Sequence, residues 1–180
     1  MPTINVALIG CGKFVRDLHL ANLLDHPSFH IYATMDVNAE AARKLYEDTG
    51  ASYWTIDSSR VFEDPAVDLV FIATPHYTHA DLSLRAAQAG KHIFCEKPMA
   101  LTEPDSLAVY DAVTRSGVKY MCGYNRSYAP FTAKARDFLG RLSAPKQIFH
   151  RIADWNPYNQ GWLLDETLSG GRRLWGAGEA

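Results

Sequence analysis

A chain of 180 residues with 18 basic and 20 acidic side chains carries a net charge of −2. With no long run of one sign, it lacks the basic footprint of a nucleic-acid or anionic-membrane binder. Its 47% hydrophobic content suits a globular protein with a sizeable core, long enough for one full domain and part of another. Cys11, Cys95 and Cys122 are odd in number, widely spaced and form no Cys-x-x-Cys pair. With no basic region ahead of the short N-terminal apolar run, they predict reduced thiols in a cytoplasmic protein.

The first predicted element is a strand over 4–9, rich in β-branched residues, which runs into "GCGKFV". Gly10 permits a tight turn, and Gly12 lets a pyrophosphate approach the backbone. The following helix, predicted over 14–24, offers its first N–H groups and dipole at Lys13 and Phe14. Val15 stands where Gly or Ala is usual in this fingerprint, which predicts looser packing of the helix on the strand. A plain strand-to-helix turn is the alternative. A second strand over 30–35 ends at Asp36, placed to accept hydrogen bonds from the adenosine ribose hydroxyls and to repel a 2′-phosphate. NAD is thereby favoured, while Asn38 keeps NADP open. A solvated acid at a strand end is the simpler alternative.

Helices are predicted over 39–48 and, briefly, 58–63. A strand over 68–73, apolar throughout, then ends in "ATPHYTH". Thr74 and Pro75 stop pairing at the carboxyl edge of the sheet, where ligands collect in open α/β folds, and His79 enters the first turn of a helix over 80–89. His76 and His79 lack accompanying carboxylates or thiols, so no metal site is expected. The next strand, 92–95, ends in Glu96, Lys97 and Pro98. If parallel, it brings Lys97 into the cofactor crevice. There an amine can hydrogen-bond a substrate hydroxyl, stabilise an alkoxide or transfer a proton, with Glu96 holding either the lysine or the substrate. A surface ion pair beside a turn-forming proline is the alternative.

A helix over 104–116 and a strand over 119–122 follow, the latter ending in Tyr124, Asn125 and Arg126. These are suited to sugar hydroxyls and to carboxylate or phosphate, or to tying this domain to a second one. Asn38, Thr78 and Thr102 stand at N-cap positions; Gly50, Gly90 and Gly117 stand where helices stop. Strands apolar throughout, alternating with helices, predict a doubly wound parallel α/β sheet. After Tyr124 come a basic surface helix and one alternating strand in "KQIFHRIADW", the start of an α+β unit. Trp155, Trp162 and Trp175 are candidates for a sugar-stacking wall or for buried packing.

Together, "GCGKFV", "MD", "ATPHYTH", "CEKP" and "GYNRSYAP" resemble the glucose-fructose oxidoreductase, inositol dehydrogenase and rhizopine-catabolism (Gfo/Idh/MocA) oxidoreductase family. The match covers about the first 130 residues. The resemblance implies a Rossmann domain over 1–124, followed over 125–180 by a linker helix and the incomplete start of a substrate and oligomerisation domain. It implies NAD or NADP bound through Gly10, Gly12, Lys13, Phe14, Asp36, Thr74, Pro75, His79, Glu96 and Lys97. It also implies hydride transfer with a sugar, cyclitol or related polyol, with Lys97 at the nicotinamide and substrate, and a homo-oligomer. Family members continue into an Asp-x-x-x-His-type stretch and a large open sheet, so a fragment or a truncated product is expected here, inactive toward polyols on its own. A non-enzymatic dinucleotide-binding module is the alternative function.

Overall fold

The computed structural model describes residues 3–143 and 161–170. The strand expected in "KQIFHRIADW", and both Trp155 and Trp175, lie outside the described residues.

Six parallel strands form one sheet: β1 (Ile4–Ile9), β2 (Phe29–Met35), β3 (Tyr53–Thr55), β4 (Leu69–Ile72), β5 (His92–Cys95) and β6 (Tyr120–Cys122), in the order β3-β2-β1-β4-β5-β6. The helices are α1 (Leu20–Asp25), α2 (Ala39–Thr49), α3 (Ser58–Glu63), α4 (His79–Gln88), α5 (Glu103–Ser116), α6 (Pro130–Gly140), α7 (Gly161–Leu164) and α8 (Glu166–Ser169). This is the expected doubly wound α/β architecture. β3 is the strand that sequence reasoning missed, because three residues at the sheet edge leave no periodicity to detect.

The apolar character of β1 follows from its central place. Successive side chains point to opposite faces, so Ala7 and Ile9 enter one core with Val61, Val70, Leu82 and Ile93, and Val6 and Leu8 enter the other with Val15, Leu45 and Phe71. Asn38 caps α2 by accepting from the Glu40 and Ala41 N–H groups, and Thr102 caps α5 through the Asp105 N–H. Thr78 does not cap α4 as expected. A 3₁₀ turn over His76–Thr78 leads directly into that helix, and the Thr78 hydroxyl instead donates to the Pro75 carbonyl at 2.8 Å.

Packing at Val15 is also not loose. Its side chain is 1% exposed, and the chain enters α1 through a π turn, Val15–His19. The wider turn makes room for a β-branched side chain where the fingerprint usually has a small one.

Candidate dinucleotide and substrate site

The register places the site before any side chain is considered. Met35, Ile9, Ile72, Cys95 and Cys122 pair in one row across β2, β1, β4, β5 and β6. The ladder continues one residue further: the N–H groups of Gly10, Ala73, Glu96 and Gly123 donate to Met35, Ile9, Ile72 and Cys95, each at 2.8 Å. The next row is therefore Asp36, Gly10, Ala73, Glu96 and Gly123, along the carboxyl edge. Between β1 and β4 the strand order reverses, and it is here that an open α/β sheet leaves a crevice for ligands.

At that reversal, Gly10 has φ of 98°, and a β-carbon on it would stand 2.5 Å from the Ala73 carbonyl oxygen. Around Gly12 a β-carbon would meet nothing within 4 Å. The first glycine lets two strand ends approach, and the second leaves open space beside a helix start, which fits the pyrophosphate of a dinucleotide. Asp36 supports this loop directly. One carboxylate oxygen accepts the Cys11 N–H at 2.7 Å and the other accepts the Asn38 N–H at 2.9 Å. The carboxylate keeps lone pairs for ribose hydroxyls. Arg16 ties the loop to α2, donating to the Cys11 and Ala41 carbonyls and pairing with Asp48 at 2.7 Å. Lys13 pairs with Asp17 on the surface, and Phe14 is half exposed beside the loop.

On the β4 side, the Thr74 and Thr78 hydroxyls share a hydrogen bond of 2.6 Å. His79 is not a cofactor-facing residue as expected: its side chain is wholly buried. Its Nε2 lies 2.9 Å from the Thr74 carbonyl oxygen and its Nδ1 2.6 Å from that of Pro98, so the neutral ring sits between the end of β4 and the turn after β5 and donates to one of the two. Burial lowers its pKa, against both carbonyls and the nearby Glu96 charge.

Glu96 departs from expectation too. It is buried, and its carboxylate turns to His19, a residue that sequence reasoning missed. His19 Nε2 stands 2.8 Å from Glu96 Oε1, off the line of a hydrogen bond, while Oε2 accepts the Lys97 N–H at 3.2 Å. Phe14, Phe71 and Phe94 surround the His19 ring at centroid distances of 5.3, 4.9 and 6.2 Å. Gly123 leaves the space for this carboxylate, since a β-carbon there would meet Oε1 at 2.9 Å. Lys97 itself is half-buried, joined to Pro98 by a cis peptide, and no carboxylate among the described residues pairs with its amine.

The loop after β4 carries one further packing contact. His76 is buried, 3.1 Å from the Ser169 carbonyl oxygen, with the Trp162 ring edge-on at 4.8 Å, so α7 and α8 pack on the loop after β4. Burial lowers the His76 pKa to about 4, Lys97 and His79 pushing the same way. Of the Trp162 alternatives, the structure shows packing on His76. Tyr124, Asn125 and Arg126 follow β6 at the same edge and are exposed. Cys11 and Cys95 are buried thiols pushed up to about 12, chiefly by desolvation, and do not serve as nucleophiles at neutral pH. Among the described residues, no group of His, Cys, Asp or Glu is placed to hold a metal ion, and no helix is long and apolar enough to cross a membrane.

Comparison with known proteins agrees with this fold. Levoglucosan dehydrogenase of Pseudarthrobacter phenanthrenivorans is 32% identical across 97% of this chain and 48% of its own length. The scyllo-inositol 2-dehydrogenase (NAD(+)) of Bacillus subtilis is 31% identical across 82% of this chain and 43% of its own. The chain thus spans about half the length of the curated relatives it matches. A solved levoglucosan dehydrogenase, in complex with NADH and levoglucosan, superimposes with a TM-score of 0.79 at 30% identity, covering 96% of this chain and 50% of that one. Residues 4–124 match the model of the Gfo/Idh/MocA oxidoreductase family, described by its NAD-binding Rossmann fold, and the chain belongs to that family.

Proposed function

We propose that this chain belongs to an NAD(P)-dependent oxidoreductase acting on a sugar, cyclitol or related polyol, with residues 1–124 as the dinucleotide domain. The observation that carries the proposal is the alignment of Asp36, Gly10 and the Glu96–Lys97 turn along one sheet edge, with Gly12 opening the space between. Gly10, Gly12 and the backbone at Lys13 and Phe14 would hold the pyrophosphate. Asp36 would hold the adenosine ribose, and Thr74 and Pro75 would line the crevice. A nicotinamide dinucleotide bound there supplies or accepts a hydride.

Lys97 has the reactive role. Its amine hydrogen-bonds the substrate hydroxyl and takes its proton as the alcohol becomes a carbonyl, or returns it in the reverse direction. Tyr124, Asn125 and Arg126 offer donors to further hydroxyls. NAD is favoured over NADP, because Asp36 opposes a 2′-phosphate and the Asn38 side chain is engaged as a helix cap. Three free thiols support the cytoplasm as compartment. Exposed Tyr128, Phe131 and Phe138 support self-association.

The test is fluorescence titration with NADH, followed by NAD⁺-dependent oxidation of a panel of cyclitols, aldoses and anhydrosugars. Saturable NADH binding displaced by NAD⁺ is expected. Absence of dinucleotide binding by the folded protein would overturn the proposal. Binding of NADH with no polyol oxidised even by a version of the protein extended to the length of its relatives would favour the binding-module alternative.

A further inference from the structure

We infer that His19 is a positioning residue that keeps Glu96 from capturing the Lys97 amine. This rests on the reading of Lys97 as the lysine at the reacting end of the site.

Glu96 and Lys97 are sequence neighbours of opposite charge at the mouth of a crevice, and both side chains are long enough to meet. A carboxylate that settled on the ammonium would tie up the donor and strengthen its hold on the proton that chemistry must move. The structure shows the carboxylate engaged elsewhere. Oε1 stands in ion-pair contact 2.8 Å from His19 Nε2, off the line of a hydrogen bond, and Oε2 takes the Lys97 backbone N–H at 3.2 Å. Gly123 leaves room for this orientation, because a β-carbon would approach all three carboxylate atoms within 2.9–3.0 Å and the carboxylate would have to shift. The Lys97 amine has no carboxylate partner among the described residues. His19 is itself locked, with Phe71 and Phe94 edge-on to its ring and Phe14 tilted against it. The acid therefore serves the turn's backbone and a histidine from the glycine-loop side, and the lysine is left for the substrate.

A structural role alone would not change the chemistry of the Lys97 amine, and that chemistry can be read without any substrate. Limited acylation with acetic anhydride, resolved by peptide mass spectrometry, gives the rate at Lys97 relative to exposed Lys44. His19→Phe keeps the aromatic packing and removes the polar partner. It is expected to slow Lys97 acylation about tenfold, as the freed carboxylate pairs with the ammonium. His19→Gln, which retains a donor, is expected to stay near the wild-type rate. Adding Glu96→Gln to His19→Phe should restore the rate, since no charge remains to capture the lysine. Unchanged acylation in His19→Phe, or a double variant as slow as the single, would overturn the inference. Gly123→Ala pushes the carboxylate from its other side and should slow Lys97 equally. It decides the matter should His19→Phe fail to fold. Loss of NADH binding, or full turnover by Lys97→Ala, would sink the functional reading and leave these acylation rates untouched.

Discussion

A β-carbon placed on Gly10 would stand 2.5 Å from the carbonyl oxygen of Ala73, closer than any real contact, whereas one on Gly12 would touch nothing. The two glycines of one short loop are thus required for different reasons. The first joins the ends of β1 and β4, and the second keeps the crevice clear.

The two glycines should separate in mutagenesis. Gly10→Ala adds a clash with main chain to a φ of 98°, so it should cost about 3 kcal/mol or more of stability in urea unfolding. Gly12→Ala should change stability by no more than about 0.5 kcal/mol, because it meets open space. The NADH affinity of Gly12→Ala should nonetheless fall about tenfold, the methyl standing where the pyrophosphate approaches. Equal stability of the two variants would contradict the packing at Ala73.

Asp36 supports the loop and, in the proposed function, sets cofactor selectivity, and the choice of substitution tells the two apart. Asp36→Asn keeps one oxygen for the Cys11 N–H, bonded at 2.7 Å in the wild type, gives up the acceptor of the Asn38 N–H, and removes the charge proposed to oppose a 2′-phosphate. The preference for NADH over NADPH should shrink about tenfold in Asp36→Asn, with NADH binding little changed. Asp36→Ala should lose selectivity and also weaken both cofactors, because the loop loses its acceptor. Equal binding of both cofactors by the wild type would remove Asp36 from the selectivity argument.

The same residues show how far the sequence could be followed. Buried parallel strands are visible as unbroken apolar runs because both sheet faces are covered, and β1 and β5 match their expected bounds. Residues just past strand ends were found for a related reason: in a parallel sheet they fall on one line, so knowing the strands locates the edge. Contacts across space were not legible. His19 reaches Glu96 from the π turn of the first helix, and a lone histidine in an amphipathic stretch gives no spacing signal. His79 looked available to a cofactor because its partners, the Thr74 and Pro98 carbonyls, are main chain and leave no mark in the residue types. The packing of Trp162 and Ser169 on His76 joins segments far apart in the chain, which no local pattern encodes.

His76 should make the protein acid-sensitive. Its pKa is about 4 in the folded state, against an ordinary 6.5. Between those values the unfolded chain binds the proton and the folded chain does not, so stability falls as pH drops through this window and levels off below about 4. The loss between pH 7 and pH 5 should be about 2 kcal/mol from this group. His79, also lowered by burial, adds to the slope in the same direction. His76→Phe should flatten the dependence in urea melts at the two pH values and leave a remainder from His79. An unchanged slope would mean that His76 titrates normally and that α7 and α8 do not cover it in solution.

The final prediction concerns Lys97. In the proposed function the glycine loop and Asp36 hold the far end of the dinucleotide, so cofactor affinity is expected not to depend on the amine. In that proposal the amine acts where negative charge develops on the substrate oxygen, an interaction that strengthens from ground state to transition state. With any polyol that the protein oxidises, Lys97→Ala should leave NADH affinity within a few-fold and lower kcat/KM by roughly two to four orders of magnitude. Lys97→Arg should not restore activity, because a guanidinium does not release its proton at working pH and its planar fork demands a wider site. Strongly weakened NADH binding with kcat intact in Lys97→Ala would make this lysine a cofactor anchor, and the proton-transfer role assigned to it would then be wrong.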